Sequence, residues 1–243
     1  MIGLGTIVNI AAIGIGATVG LLIKGGLSKR FQDTVTTAIG LSTMFIGISG
    51  ALQGLLVIRG AEIATQNTML MIASLILGAL LGEWIDIELR LEQFGIWCKS
   101  KIPVSGDQNT TFVEGFVTSS LLFCVGAMAI VGSLEDGLNQ NYSILFAKSV
   151  MDGVMAIIFT ASLGIGVYFS AFSVLVYQGS ITLLAGMVRP YLSDLVIGQM
   201  SCVGSVLIFA LGINLIFGQK IKIGNLLPAM FVPLFYSLIR LLF

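Results

Sequence analysis

Histidine is absent from this chain, and charge is nearly so: 12 Lys and Arg with 12 Asp and Glu make up 10% of its 243 residues. The missing imidazole excludes a His-based metal site or acid–base pair. The scarcity of charge excludes a soluble globule, in which charged residues ordinarily reach about 25%. A net charge of zero leaves no basic face for a nucleic acid. The cysteines, Cys98, Cys124 and Cys202, show no CxxC spacing; they read as small apolar fillers rather than a metal site. No nucleophile sits beside a general base, and glycine clusters such as "GIGVYFS" lie within apolar runs rather than between a strand and a helix. An enzyme, a cofactor and a metal are therefore not expected.

What the chain has is apolar length. It is 56% hydrophobic, with a mean hydropathy of +1.03. A bilayer core about 30 Å thick takes about 20 apolar residues at 1.5 Å each. Eight stretches approach that length: roughly 2–23, 34–58, 68–87, 111–134, 142–168, 170–188, 195–217 and 225–243. They are continuous rather than alternating, which excludes an outer-membrane barrel. The expectation is an all-α, polytopic transmembrane helix bundle of about eight spans, a single integral membrane domain over residues 1–243 with the lipid bilayer as its environment. Positive charge follows the first run (Lys24, Lys29, Arg30) instead of preceding it, so that run reads as a retained helix and not a signal peptide.

Lys and Arg also orient the bundle. If the N-terminus is outside, cytoplasmic connections hold Lys24, Lys29, Arg30, Arg90, Lys99, Lys101, Lys220 and Lys222, while the outer side holds Arg59, Arg189 and Arg240. Both termini are then extracytoplasmic. The fifth and sixth runs are expected to meet in a tight turn near Tyr168–Ala171. Residues 83–102 place Trp84, Ile87, Leu91, Phe94 and Cys98 on one helical face and Asp86, Arg90, Gln93 and Lys99 on another. That pattern fits an amphipathic helix at the cytoplasmic interface, anchored by Trp84 and Trp97; a plain extension of the third span is the other reading.

An internal repeat appears at an offset of 82. "VTTAIGLSTMFIGISGALQG" (35–54) lies over "VTSSLLFCVGAMAIVGSLED" (117–136), and eleven of fifty positions coincide when the register is continued. A fainter, inverted copy runs from about 196. The repeat-like units are about 1–88, 89–168 and 169–243. Parallel and inverted repeats both recur in transporters; chance likeness between Gly-rich helices is the alternative.

The candidate site begins in "FAKSVMDGVMAIIFT". Asp152 lies about ten residues into its run, near the bilayer midplane, where a charge costs about 2.5–3.5 kcal/mol on insertion scales. Lys148 precedes it by one turn on the same face, and Ser149, Ala156 and Thr160 extend a small, polar stripe. The offset places Gln66 and Leu70 opposite Lys148 and Asp152, so the charges belong to one copy alone. The pair reads either as part of a transport pathway or as an interhelical clamp. Asn9, Gln178 and Asn214 are amides inside runs, each either a ligand or an interhelical hydrogen bond. Glu114 sits near the start of its run, where a helix dipole favours a carboxylate. "SLEDG" reads as turn chemistry. In "GNLLPAMFVP", Pro228 suits a first turn, and Pro233 is expected to remove an interior hydrogen bond.

Four fragments, "MIGLGTIVNIAAIGIGATVGLLIKGGL", "LLFCVGAMAIVGSLEDG", "AKSVMDGVMAIIFTASLGIGVYFSA" and "GNLLPAM", together and in this order resemble the bacterial YdfK/YqgA-type integral membrane proteins. These form a domain-of-unknown-function family labelled uncharacterised or as transport proteins. The resemblance implies a bacterial inner-membrane protein and supplies no catalytic residues. The leading expectation is a secondary transporter or channel for a small solute or ion, able to form a homo-oligomer. The alternative is a non-transporting scaffold, sensor or partner subunit with a structural Lys–Asp pair.

Overall fold

A computed structural model describes residues 1–24, 29–60, 62–90, 93, 109–124, 127–218 and 220–242. Its helices are α1 (Leu4–Lys24), α2 (Lys29–Leu55), α3 (Thr68–Ile85), α4 (Asn109–Cys124), α5 (Ala127–Asn139), α6 (Ser143–Leu163), α7 (Gly166–Leu183), α8 (Asp194–Phe217), α9 (Ile223–Leu226) and α10 (Val232–Leu242). Among the described residues seven segments are long and apolar enough to cross a membrane, and α4 with α5, bent by 60°, make an eighth when counted as one span. The protein is an all-α polytopic bundle. Among the described residues its one departure is an antiparallel hairpin of Leu56–Arg59 with Glu62–Thr65, so the second apolar run leaves the helix at Leu55.

The chain divides into two compact units, residues 1–39, 89–124 and 128–187, and residues 40–88, 125–127 and 188–243. Their boundaries differ from 1–88, 89–168 and 169–243, because each unit gathers helices from distant parts of the chain.

In the first unit α1 and α6 lie side by side in parallel. Gly5 meets Leu145, Gly16 meets Gly153 and Ala156, and Gly20 meets Ile157 and Thr160. A Cβ on Gly16 would fall onto the Gly153 carbonyl, and one on Gly20 would come 2.5 Å from that of Ile157. Small residues let the backbones approach this closely, so dispersion over the whole length replaces a hydrophobic drive that lipid cannot supply. The bent pair can be placed by its neighbours. At its start, Phe112 and Gly115 touch Gly166 and Leu163; further on Ser120 donates to Ser173 (2.9 Å); at its end Gly137 meets Thr182. It begins level with the end of α6 and finishes level with the end of α7. It therefore runs the length of the unit as a crossing and not as a re-entrant turn.

The junction of the fifth and sixth runs falls earlier than Tyr168–Ala171. α6 stops at Leu163, and Gly164 (φ 83°) donates its N–H to Thr160 O at 2.9 Å. Only the missing Cβ makes this φ inexpensive, and the unbroken apolar composition around it hides the turn.

In the second unit α2 and α8 pack antiparallel, with Gly47 on Phe209 and Gly54 on Cys202. α3 packs on the final span through Gly78 against Ala229 and Gly82 against Asn225. That span is segmented into α9, a 3₁₀ turn over Leu227–Phe231, and α10. Pro228 opens the 3₁₀ turn and Pro233 is the second residue of α10. Each proline thus occupies a first turn, where its missing N–H costs little, and the expected loss inside a continuous helix does not arise. Asn225 ties the segment down: its Nδ2 donates to Glu83 at 2.6 Å and its Oδ1 accepts from Glu88 N at 2.7 Å. The Lys222 ammonium, 2.9 Å from Glu83, holds its proton above the usual lysine range because of that carboxylate.

α3 ends at Asp86, which takes a left-handed φ of 55°, and helix resumes over residues 87–90. The third span is therefore not simply prolonged. Trp84 is exposed, as a headgroup anchor would be. Trp97, Cys98 and most of the proposed interfacial helix lie outside the described residues. The glycine contacts predict that Gly16→Ala and Gly82→Ala each lose about 1–3 kcal/mol from overpacking in thermal unfolding of the detergent-solubilised protein. Gly186→Ala, where nothing lies within 4 Å, should change stability by less than about 0.5 kcal/mol.

Candidate functional site

The parallel contact of α1 with α6 brings Asn9 against the charged turn of α6. Lys148 and Asp152 are one turn apart, the geometry in which opposite charges meet on a helix, and Lys148 Nζ lies 2.5 Å from Asp152 Oδ2. From α1, Asn9 Nδ2 donates to the same oxygen at 3.0 Å and to Gln178 Oε1 of α7 at 3.3 Å. Asn9 and Gln178 are fully buried, and Lys148 and Asp152 are 7% and 6% exposed. Two helices from distant stretches thus meet at one carboxylate, and Asn9 links it to a third. The pair is neutral as a unit, and removing one partner leaves a buried charge whose penalty is about 3–5 kcal/mol.

The hydrogen bonds also orient the amides. The carboxylate turns Asn9 Nδ2 toward itself, and that group turns Gln178 Oε1 toward Asn9. Asn9 Oδ1, an acceptor, and Gln178 Nε2, a donor, are left buried with no protein partner. Thr6, Ser133 and Thr182 carry unpartnered buried hydroxyls toward the end where α6 begins, and Thr160 and Ser162 carry them toward its other end. Buried polar atoms are rarely left without a hydrogen bond, and in this unit they recur at several levels along α6; Thr43 and Ser74 are further cases in the second unit. Cys124, the last residue of α4, lies within electrostatic reach of Lys148 and Asp152.

Not every expected residue joins this cluster. Ser149 is buried but donates to Leu145 O of its own helix at 2.6 Å. Glu114 is partly buried in the second turn of α4. Its neighbour Gly115 touches Leu163, eleven residues from Asp152 along α6, or about 16 Å. Asn214 is a correction. It lies in the second unit, near the end of α8, where Oδ1 accepts from Lys220 N and Ile221 N at 3.0 Å and Nδ2 donates to Ile221 O at 2.8 Å. It closes the turn after α8 and is no midplane ligand, because the helix ends three residues later.

Asp136 of "SLEDG" does more than shape a turn. Fully buried, it accepts from Gly3 N at 2.8 Å and Gly5 N at 3.0 Å and so caps the start of α1, where a carboxylate also meets the positive end of the helix dipole. Nothing in its immediate sequence signals a partner more than 130 residues away.

The family described as "Protein of unknown function (DUF554)" matches residues 4–238. The chain is 30% identical over 229 residues to the Bacillus subtilis (strain 168) "Uncharacterized membrane protein YdfK", covering 94% of this chain and 93% of that one. It is 28% identical over 233 residues to the Escherichia coli (strain K12) "Uncharacterized protein YqgA", covering 95% and 94%. No solved structure matches. With this family match over nearly its whole length, the chain belongs to the DUF554 family and is a multi-pass membrane protein.

Proposed function

We propose that the protein is a secondary transporter or channel for a small solute or ion in the bacterial cytoplasmic membrane. Asp152 is the site that a coupling ion or proton loads, and Lys148 is its built-in counter-charge. The carrying observation is the buried Lys148–Asp152 pair, with partnerless polar atoms at several levels along α6. Ionisable groups at membrane depth recur on ion and substrate pathways. A proton or cation arriving at Asp152 displaces the Lys148 ammonium; an anion arriving at Lys148 displaces Asp152. The low-dielectric interior then requires the displaced side chain to shed its charge: Lys148 gives up a proton as the cation loads, or Asp152 takes one up as the anion loads, and the site stays neutral. A neutral solute would meet Asn9 Oδ1 as acceptor and Gln178 Nε2 as donor. α4, whose last residue Cys124 lies within electrostatic reach of the pair, and α5 diverge by 60°, the kind of interrupted helix that lines transporter sites.

The remaining assignments belong to the same proposal. The Lys and Arg distribution and an even number of crossings put both termini outside. Relatives in two bacteria support a bacterial membrane. The 82-residue offset and the fainter inverted copy are read as an ancient duplication. On this reading the chain moves a solute or ion and is not an enzyme.

The second reading, a non-transporting scaffold or partner subunit, is favoured by one observation: Asn9 and Gln178 join the pair to two neighbouring helices, as a clamp would. Vesicles reconstituted with the protein, loaded with a pH-sensitive dye and given a proton gradient, separate the readings. Transport predicts proton flux that falls to the level of protein-free vesicles in Asp152→Asn; flux equal to the parent in that variant sinks the role given to Asp152. Stability is a separate measurement. Lys148→Ala and Asp152→Ala should each lose about 3–5 kcal/mol, and the double variant should lose less than either. A clamp predicts that rescue with no flux in any variant.

A further inference from the structure

Away from the charged pair, the second unit carries a groove of about 940 Å³ between α3 and α10. Its walls are apolar side chains, among them Leu70, Leu77 and Leu81 from α3 and Val232, Phe235 and Ile239 from α10. Asn67, Gln199 and Arg240 also line it. The packing register says where these polar groups lie. Gly82 meets Asn225 and Gly78 meets Ala229, a step of four on each side. Carried onward, that antiparallel register brings Arg240 level with Asn67, which itself holds Gln199 Nε2 at 3.0 Å. The groove is therefore polar at one end, with a guanidinium and two carboxamides, and apolar along the rest. From Leu70 to Leu81 it follows α3 for about 16 Å, which is close to half of a hydrocarbon core about 30 Å thick.

We propose that this groove is a binding site for an anionic phospholipid, its phosphate held by Arg240 and one acyl chain laid along α3. Two features select that occupant. The length of the apolar wall matches one leaflet, as an acyl chain requires. The charge at the polar end is that of a guanidinium, whose planar fork suits phosphate. Arg240 is exposed and makes no ion pair among the described residues, so its charge is available to a headgroup. Asn67 and Gln199, already bonded to each other, sit beside it as a neutral rim for the glycerol and ester oxygens. The inference is independent of the part assigned to Asp152.

The test is native mass spectrometry of the full chain released from micelles doped with equal amounts of dioleoyl-phosphatidylglycerol and dioleoyl-phosphatidylcholine. The parent protein should retain the anionic lipid by about five-fold over the zwitterionic one, the scale of a single basic residue near anionic lipid. Arg240→Gln should erase that preference while still retaining lipid. Leu77→Trp, which fills the groove, should reduce retention of both. Inorganic phosphate added in excess should displace neither, because the acyl chain supplies much of the contact. Equal retention of the two lipids by the parent, or an unchanged preference in Arg240→Gln, overturns the proposal. A dimer that dissociates in Leu77→Trp assigns the groove to a second copy and overturns it too.

Discussion

One carboxylate, that of Asp152, has to be shielded from hydrocarbon while almost wholly buried, and the first unit is arranged around that need. Lys148 supplies charge and Asn9 supplies a hydrogen bond to the same oxygen. Neither suffices alone, because an ion pair moved out of water loses more solvation than Coulomb attraction returns unless further hydrogen bonds complete it. Asn9 reaches the pair only because glycines let α1 lie against α6 at backbone contact. Asp136 fixes the same helix from its other side by capping its first N–H groups. Packing and polar chemistry are thus one requirement: the glycines bring the helices close, and closeness brings the amide to the carboxylate.

The second unit solves a similar problem differently. It uses glycine for the same close approach, but the Lys222–Glu83 ion pair and the Asn225 bonds gather where α3 meets the start of the last span. Glu83 and Lys222 are largely exposed there, so their charges keep their water. Prolines at first turns let the last span be built from short segments, and Asn225 ties its start to Glu83 near the end of α3 and to Glu88 just beyond it. Buried polar atoms without a partner occur in both units, Thr43 and Ser74 in the second among them, but the buried ion pair lies in the first.

Much of the architecture was legible in the sequence, for a physical reason. A bilayer demands about 20 apolar residues per crossing, so composition alone marks the spans. The charge pair was equally legible, since Lys148 and Asp152 stand out in an apolar run. Turns were less so. Gly164 lies inside continuous apolar sequence, and the hairpin strands at Leu56–Arg59 are as hydrophobic as the helix before them. Partners across helices were least legible. Asn9 and Gln178 could be listed as buried amides, but only the fold joins them, and the same reasoning misplaced Asn214, whose amide serves a turn. Asp136 was hidden in a turn-like motif because its partner is a distant helix start.

The central claim is that protons or ions reach Asp152 from water. Infrared difference spectroscopy tests it most directly, by following the carboxyl stretch that disappears in Asp152→Asn. The account predicts that this band changes intensity as the bulk pH is stepped and shifts when H₂O is exchanged for D₂O. A carboxyl signal that responds to neither, in protein shown to be folded, would contradict it and leave the pair as a sealed clamp.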